Sequence, residues 1–217
     1  MTDLIKVSNL AFAYEKNNLL FQQLNLALQA GEILAILGQN GCGKSTLLDL
    51  LLGIHRPLQG NIQLNDSIGF VPQFFSAPFA YSVLDIVLMG RSNHIATFSK
   101  PKPQDIEVAL QALADLQLQH LAGQDFASLS GGQRQLILIA RAIASECRLM
   151  LLDEPTSALD LANQDAVLSL LRQLTKKHGL GIIFTTHQPN HAQAIANKTL
   201  LINRNFIRFG QTYEILT

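Results

Sequence analysis

The stretch ILAILGQNGCGKSTLLDLLLG, residues 33–53, joins an apolar run to a glycine-rich loop and then to a second apolar pattern. The run from Glu32 to Leu37 lies between two glycines, which predicts a strand buried on both faces of a parallel sheet. The pattern that starts at Lys44 predicts a helix over 44–52. A strand, a tight loop and a helix in this order predict an α/β protein built around a phosphate-binding loop.

The loop GQNGCGKST, residues 38–46, fits the pattern G-x-x-x-x-G-K-[ST]. Gly41 and Gly43 allow backbone N–H groups to face phosphates, and Lys44 brings positive charge to the β and γ groups. The Ser45 hydroxyl can ligate Mg²⁺. The alternative, a chance glycine turn before a helix, does not explain why both flanks agree with the motif. The predicted nucleotide-binding residues in this loop are Gly38, Asn40, Gly41, Cys42, Gly43, Lys44, Ser45 and Thr46.

Strand and helix patterns alternate along the rest of the chain. Apolar runs predict buried strands at 148–154 and 181–187, and helical periodicity predicts helices at 104–118, 132–144, 162–177 and 190–196. Alternating patterns at 5–28 and 200–210 predict antiparallel hairpins that turn at 15–18 and 203–205. We expect one domain, residues 1–217, with a P-loop NTPase core around a mainly parallel sheet, an N-terminal antiparallel β subdomain and a helical lobe inserted at about 74–144.

Composition excludes several classes of protein. Lys and Arg total 16, and Asp and Glu also total 16, so no net charge attracts nucleic acid or anionic lipid. The apolar runs are shorter than the ~20 residues of a transmembrane helix, and the N-terminus lacks the apolar segment of a secretory signal. We therefore expect a cytoplasmic chain with no nucleic-acid partner. Cys42 and Cys147 are too few for a disulfide framework and are interpreted as small buried residues.

Two acidic residues end the predicted strand at 148–154. Asp153 follows a buried apolar run, where a carboxylate is costly unless a cation or hydrogen-bond donors accompany it. A Mg²⁺ reached through water or through Ser45 is such a cation. Glu154 points differently and can polarise an attacking water as a general base. The alternative is an N-cap pair ahead of Pro155, which is the lesser interpretation after a phosphate loop.

A second glycine-rich helix start lies in ASLSGGQRQLILIARAIA, residues 127–144. Ser130, Gly131 and Gly132 present a hydroxyl and free N–H groups, which suit an anion such as a γ-phosphate. The alternative is an ordinary helix with Ser130 as its N-cap. Taken alone, these residues favour the capped helix.

The motifs in this order resemble the ATP-binding cassette (ABC) ATPases over nearly the whole chain. LSGGQ, residues 129–133, matches the signature motif of that family, and LLDEPTSALD, residues 151–160, matches its Walker B motif and D-loop. The resemblance implies that Gln73 in GFVPQ senses Mg²⁺ and the attacking water. It also implies that His187 in FTTH contacts the γ-phosphate.

The resemblance implies further site residues, with ATP and Mg²⁺ as cofactors. Tyr14 would stack on adenine, although Phe12 competes for that role. The implied catalytic residues are Glu154, His187, Gln73 and Lys44, and the implied Mg²⁺ ligands are Ser45, Gln73 and Asp153.

The family resemblance also implies a use for the second helix start. In ABC ATPases the signature lies on the helical lobe, and two subunits associate head to tail so that each signature completes the other's site. A second copy of the chain is therefore an expected partner, and Asp160 would lie at the dimer seam. The residues that would act in trans are Ser130, Gly131, Gly132 and Gln133.

SVLDIVLMGRSNH, residues 82–94, is similar to the corresponding stretch in importers of metal chelates, the iron-siderophore, haem and cobalamin group with its molybdate-type members. The alternative is an ordinary amphipathic helix. The resemblance implies transmembrane permease subunits, an indirect substrate-binding protein, and a position at the cytoplasmic face of the cell membrane. A non-transport ABC ATPase, such as one of iron–sulfur assembly, is the main competing function, and an exporter is a weaker one.

An aromatic cluster, Phe74, Phe75, Phe79 and Tyr81, precedes this stretch, where the family docks a short helix of the membrane subunit. An exposed aromatic patch suits a partner surface, and we expect about half of the four to fill the core instead.

Two features depart from the family. The segment 60–68 is short, which predicts a strand pair that has lost part of its loop. HQPNH, residues 187–191, lacks the usual Asp after the histidine, and Pro189 argues against a helix on which His187 and His191 bind a metal.

Overall fold

The computed structural model describes residues 3–15, 18–76, 79–96, 98–203 and 206–217. The strands are β1 (Asp3–Ala13), β2 (Leu19–Gln29), β3 (Ile33–Gly38), β4 (Gln59–Leu64), β5 (Ile68–Val71), β6 (Leu149–Leu152), β7 (Gly181–Thr186), β8 (Lys198–Ile202) and β9 (Ile207–Gln211). The α-helices are α1 (Lys44–Leu51), α2 (Val83–Leu88), α3 (Pro103–Asp115), α4 (Gly131–Ala144), α5 (Leu161–His178), α6 (Pro189–Ile195) and α7 (Thr212–Ile215). Short 3-10 turns lie at Met89–Asn93, Gln119–Leu121 and Phe126–Ser128.

The larger sheet has the strand order β5-β6-β7-β3-β8-β9, and its strands are parallel except for β9, which runs antiparallel to β8. Every residue of β3, β6 and β7 is buried because both faces of the sheet are covered. Since these three strands are adjacent and parallel, the chain segments after their carboxyl ends meet at one edge. The phosphate loop, Asp153 and His187 all follow these ends.

Successive residues of the central strands belong to two different cores, because side chains alternate across a strand. Ala35 and Met150 pack in the core that contains buried residues of α2, α3, α4 and α5. Leu34 and Leu151 pack in the core that contains α1 and strands β1 and β2. The predicted α/β fold class is confirmed, with a parallel-dominated sheet and a separate antiparallel sheet.

The antiparallel sheet at the N-terminus has the order β2-β1-β4. The predicted hairpin at 5–28 is confirmed, although residues 16 and 17 of its turn lie outside the described residues. The strand pair expected around the short segment 60–68 is wrong, since β4 pairs with β1 whereas β5 pairs with β6. The mostly exposed β4 suits the edge of the small sheet, and the more apolar β5 suits the buried large sheet.

The other predicted elements are confirmed with small shifts at their ends. Helix α3 ends at Asp115 rather than 118, and Gln117 just beyond it adopts a positive φ of 61°. The closing hairpin pairs β8 with β9, and residues 204 and 205 of its predicted turn lie outside the described residues. Cys147 is buried as expected, whereas Cys42 is only half-buried because it lies beside a surface cleft.

No helix in the described part of the chain is both long and apolar enough to cross a membrane.

Arg91, the last residue of the VLMGR stretch, joins three helical elements. Its buried guanidinium donates to Asp105 Oδ1 (3.3 Å), to the Ala144 carbonyl (2.9 Å) and to Glu146 Oε2 (2.6 Å). Asp105 belongs to the first turn of α3, and Ala144 is the last residue of α4. Arg91 therefore ties the turn after α2 to the start of α3 and the end of α4.

Replacing Arg91 by Met is expected to lower the melting temperature by about 5 °C or more, because the buried carboxylate and carbonyl acceptors lose their donor. Scanning calorimetry of the purified chain measures this shift. The matched control is Arg172→Met, which removes an exposed guanidinium from α5 and should change the melting temperature by less than about 2 °C. Equal melting temperatures for the two variants would contradict the structural role of Arg91.

Candidate nucleotide-binding and hydrolysis site

The phosphate loop connects β3 to α1 through backbone conformations that favour glycine. Gly41 and Gly43 have φ angles of 77° and 103°, in the left-handed region where a Cβ would be strained. Gly43 is the N-cap of α1 and makes no side-chain cap. The N–H groups of the first turn, Lys44–Thr46, therefore point out of the helix start, where the helix dipole also favours an anion.

Lys44 is buried at the base of this loop. Its Nζ donates to the Gly38 carbonyl at 2.8 Å and to the Gln39 carbonyl at 3.3 Å. The same Nζ lies 3.1 Å from Glu154 Oε1, and both side chains are more than 90% buried. A buried charge is costly without a partner, so the two ions stabilise each other at this position.

Asp153 and Ser45 are in direct hydrogen-bond contact. The Ser45 hydroxyl donates to Asp153 Oδ2 at 2.9 Å, and the Thr185 hydroxyl donates to Asp153 Oδ1 at 2.6 Å. Each carboxylate oxygen at the end of β6 thus has a donor, one from α1 and one from β7. Thr185 was missed by the sequence reasoning, although a hydroxyl inside the buried FTTH run is a signal for such a contact.

The Glu154 side chain faces Lys44 and His187, and its backbone has a positive φ of 46°. This left-handed conformation costs a non-glycine residue about 1–2 kcal/mol. The Glu154 N–H donates to Thr185 Oγ1 at 2.7 Å, which holds the turn in place. Its Oε2 lies 3.0 Å from His187 Nδ1, while Oε1 accepts no hydrogen bond from any described residue despite the nearby ammonium. Oε1 thus faces the Lys44 ammonium and Oε2 faces the His187 ring, so both carboxylate oxygens point to neighbouring residues of the site.

A cleft of about 460 Å³ lies over the loop. It is lined by Tyr14, Leu20, Asn40, Gly41, Gly43, Lys44, Ser45, Thr46, Gln73 and Glu154. A concave site that combines helix-start N–H groups, one ammonium and one carboxylate, with the Asp153–Ser45 pair beside it, suits a polyphosphate with its metal ion.

Tyr14, rather than Phe12, faces this cleft. Its side chain is 65% exposed and its hydroxyl lies 3.0 Å from Thr46 Oγ1. Phe12 is only 6% exposed and packs edge to face against the Tyr14 ring, with ring centroids 5.1 Å apart. Of the two aromatics that the sequence proposed, Tyr14 is therefore the one that is exposed at the cleft.

Gln73 lies at the other side of the cleft, on the loop after β5. Its Nε2 donates to Ser157 Oγ at 3.3 Å, in the segment that follows Glu154. The contact connects the loop after β5 to the loop after β6, which also carries the two carboxylates.

A second cleft of about 500 Å³ borders the phosphate loop and shares Asn40 and Gly41 with the first. Its lining includes Gly38, Cys42 and His187. His187 therefore borders this second cleft while its ring contacts Glu154, which lines the first.

The four signature residues do not line the cleft over the phosphate loop, within the part of the chain that the structure describes. Ser130 is the N-cap of the 14-residue helix α4, with the Gln133 N–H donating to Ser130 Oγ at 3.3 Å. The Ser130 N–H donates in return to Gln133 Oε1 at 3.1 Å. Ser130 and Gly131 are exposed. The capped-helix interpretation describes the local geometry, and the exposed helix start remains accessible to a ligand.

Asp160 begins the helix that follows the D-loop. Its Oδ1 accepts from the Asn163 N–H at 2.9 Å and its Oδ2 accepts from the Asn163 side-chain amide at 2.9 Å. It therefore acts as the N-cap of α5 while the residue stays exposed.

Comparisons with known proteins agree with this geometry. A family model described as ABC transporter matches residues 21–157. The chain is 69% identical over 217 residues to the molybdate import ATP-binding protein MolC of Haemophilus influenzae, covering 100% of this chain and 86% of that protein. It is 33% identical over 223 residues to the manganese transport system ATP-binding protein MntB of Bacillus subtilis, covering 98% and 88%.

A solved chain from a metal-chelate type ABC transporter in an inward-facing conformation superposes with a TM-score of 0.96. It is 68% identical to this chain, and the match covers 100% of this chain and 86% of that one. The chain therefore belongs to the ABC transporter family, in which it is an ATP-hydrolysing subunit.

Proposed function

We propose that this chain hydrolyses ATP to energise a membrane importer whose cargo is a molybdate-type metal oxyanion or a metal chelate. The observation that carries the hydrolytic part is Glu154, which lines the cleft over the phosphate loop with its carboxylate 3.1 Å from Lys44 Nζ and 3.0 Å from His187 Nδ1. The 69% identity to a molybdate import protein supports the direction of transport and the class of cargo.

The geometry supports a distinct role for each residue around the phosphates. Lys44 and the first turn of α1 would bind the β- and γ-phosphates, and Glu154 would take the proton of the attacking water as general base. His187, hydrogen-bonded to Glu154, would orient that carboxylate and contact the γ-phosphate. Gln73 would approach the water from the opposite loop. The remaining residues of the phosphate loop, Gly38, Asn40, Gly41, Cys42, Gly43, Ser45 and Thr46, would surround the nucleotide.

Mg²⁺ fits the donors at the end of β6. The Ser45 hydroxyl and the Asp153 carboxylate are 2.9 Å apart, and Gln73 lines the same cleft with an amide oxygen. Magnesium prefers oxygen ligands and is commonly held by one or two carboxylates together with substrate phosphates. Ser45, Gln73 and Asp153 would therefore hold the ion, which would neutralise charge that develops on the phosphates. Thr185 would keep Asp153 oriented toward it.

Tyr14 would stack on the adenine ring, since it is the exposed aromatic at the rim of the cleft. Tyr14→Ala is expected to raise the KM for ATP about tenfold, because stacking of a base on an aromatic ring is worth ~1–3 kcal/mol. The control is Tyr14→Phe, which keeps the ring and should change the KM less than about twofold. Steady-state ATPase assays measure both. Equal losses in the two variants would show that the Tyr14 hydroxyl, and not its ring, is what the nucleotide needs.

Two copies of the chain would form a head-to-tail dimer around two ATP molecules. Among the described residues that line the cleft over the phosphate loop, Lys44 is the one cation. The exposed helix start at Ser130, Gly131, Gly132 and Gln133 would supply N–H donors from the second copy, and Asp160 would lie at the seam. Donors on both sides suit a loose phosphoryl-transfer transition state.

The membrane subunits would contact the aromatic cluster of the helical lobe. Phe74 and Phe79 are 79% and 70% exposed, whereas Phe75 and Tyr81 pack against the core. This division suits a lobe, at about 74–144 of a single ABC ATPase domain, that presents two aromatics to permease subunits. The chain would then lie at the cytoplasmic face of the membrane, served indirectly by a substrate-binding protein.

Uptake by reconstituted transporter tests the proposed function. The chain is purified with its membrane subunits, placed in proteoliposomes with ATP inside, and supplied with labelled molybdate or a labelled iron chelate on the binding protein. ATP-dependent uptake of either cargo that disappears with Glu154→Gln supports importer function. Uptake of neither cargo would contradict the class of substrate. If the chain co-purified in detergent with a soluble scaffold protein and with no membrane protein, the non-transport ATPase would be favoured.

A further inference from the structure

His191 is a buried histidine that lies outside the cleft and contacts three segments of the site. It sits on the short helix α6 and is 6% exposed. Its Nδ1 lies 3.2 Å from Thr156 Oγ1 and 3.3 Å from Thr186 Oγ1, and its Nε2 lies 3.3 Å from Gln164 Oε1. Both ring nitrogens thus have protein partners.

The hydrogen bonds around the ring determine which nitrogen carries the proton. Gln164 Nε2 donates to the Leu159 carbonyl at 2.9 Å, so the oxygen of that amide is the atom that faces His191. An oxygen acceptor requires a donor, so the N–H of His191 is on Nε2. Nδ1 then accepts from a threonine hydroxyl in the neutral ring. Thr186 Oγ1 itself accepts from the Gln188 N–H at 3.1 Å.

The charges around His191 agree with a neutral ring. Burial lowers its pKa below the ordinary value of 6.5, and the neighbouring His187 lowers the pKa further. Asp165 and Glu154 oppose this shift to a smaller extent. The neutral tautomer with the proton on Nε2 is therefore the form present near neutral pH.

The contacts of this ring flank three residues of the proposed mechanism. Thr186 directly precedes His187, Thr156 is two residues after Glu154, and the Leu159 carbonyl directly precedes Asp160. His191 Nε2 contacts Gln164, and Gln164 in turn donates to the Leu159 carbonyl. Among the described contacts of the ring, these two hydrogen bonds are the ones that lead to the residue before Asp160, at the end of the D-loop. We call these two hydrogen bonds the D-loop tether.

We propose that His191 is a positioning residue, which through the D-loop tether fixes Asp160 relative to Glu154 and His187. This role of His191 rests on the proposed function, since the tether matters for turnover only if Asp160 lies at the seam between two ATP sites. A purely structural histidine would be needed for stability alone. A tether predicts that the N–H at Nε2 is needed for turnover, and that the acceptor at Nδ1 is not.

Three substitutions at His191 separate the two ring nitrogens. Gln places an N–H donor near the position of Nε2, Asn places an acceptor near the position of Nδ1, and Leu provides neither. Losing the tether is expected to lower kcat about tenfold, which corresponds to ~1.4 kcal/mol and lies within the range for one hydrogen bond. In the detergent-purified transporter, kcat should fall in His191→Leu and His191→Asn and should be within about twofold of wild type in His191→Gln. The KM for ATP should change less than about twofold throughout, because His191 does not line the cleft.

Gln164 provides an independent check on the same hydrogen bonds. Gln164→Leu is expected to lower kcat as much as His191→Leu, and the double variant should be no slower than either single one, since both remove one tether. The matched control is His178→Gln, an exposed histidine on the same helix α5, which should leave kcat unchanged. Melting temperatures are recorded for every variant.

Two results would overturn the proposal. In the first, His191→Asn retains the wild-type kcat and His191→Gln does not, which would show that turnover depends on the threonine contacts of Nδ1 and not on the tether. In the second, kcat and melting temperature fall together in all three His191 variants, which would leave only a structural histidine. Failure of the proposed function would be seen in the wild-type transporter, which would hydrolyse ATP without driving uptake. Failure of the tether would be seen only in the kcat values of the variants.

Discussion

Glu154→Gln is expected to lower kcat for ATP hydrolysis about 10³-fold while leaving ATP binding intact. The amide has nearly the same shape and can still contact His187, but it cannot take a proton from the attacking water, and general-base catalysis contributes ~10²–10⁴-fold. The substitution also removes the negative partner of Lys44, which lies 3.1 Å away. Lys44 keeps its two carbonyl acceptors and becomes more available to phosphates, so ATP affinity should stay equal or rise.

The consequence for assembly is a dimer trapped with ATP. Gel filtration with and without ATP measures the association, and a single-turnover assay measures the chemistry. The matched control is Glu107→Gln, an exposed carboxylate on α3 that should leave turnover and sizing as in wild type. A Glu154→Gln chain that remains monomeric with ATP and hydrolyses it at the normal rate would refute the assignment of the base.

Ser130→Arg is the second substitution with a large expected effect. In the head-to-tail dimer an arginine at this exposed helix start would occupy the space of the partner's γ-phosphate and displace the N–H donors. We expect ATP hydrolysis to fall about 10²-fold or more, as when preorganised donors are lost from a transition state. ATP binding to the monomer should persist because Ser130 does not line the cleft over the phosphate loop.

The control separates the clash from the loss of the helix cap. Ser130 Oγ accepts from the Gln133 N–H, and Ser130→Ala removes this cap at a cost of ~1 kcal/mol without adding bulk. Ser130→Ala should therefore retain activity within about tenfold of wild type. If both variants lost activity equally, the helix cap rather than the shared site would explain the effect.

Mixed dimers test whether the site is shared between two copies. When Lys44→Ala is on one chain and Ser130→Arg is on the other, both defects fall in one head-to-tail site and the second site is intact. When both substitutions are on one chain and the other chain is wild type, each site receives one defect. In a Glu154→Gln background, occluded ATP should be about one per dimer in the first arrangement and close to zero in the second. The reverse result would place both groups in one protomer.

The elements around the phosphate loop were predictable because their signals are local. In β3 a continuous apolar run specifies burial on both faces, and at Gly43 the motif supplies a residue that tolerates the left-handed start of α1. Ser130 is recognisable as an N-cap from the Gln three residues later. Each of these features depends on a few consecutive residues, so one sequence suffices to identify it.

The pairing of strands was less predictable. The short segment 60–68 looked like the loop of one strand pair, but β4 and β5 join different sheets. Periodicity reports which faces of a strand are buried and does not report its neighbour. The sequence left the choice between Tyr14 and Phe12 open for a similar reason. Both are aromatics, two residues apart near the end of β1, and their spacing does not report which one lies at the cleft.

By itself the sequence determined the fold class, the phosphate loop and the identity of the carboxylates, because these depend on residue type and short-range spacing. Only the tertiary structure decided that Ser45 meets Asp153, 108 residues away, and that His187 meets Glu154, 33 residues away. The adjacency of β6, β7 and β3 creates those contacts. The same holds for the tautomer of His191, which is set by an amide on α5 whose orientation depends in turn on the Leu159 carbonyl. Hydrogen bonds between distant segments require the packed sheet, so no local pattern could contain them.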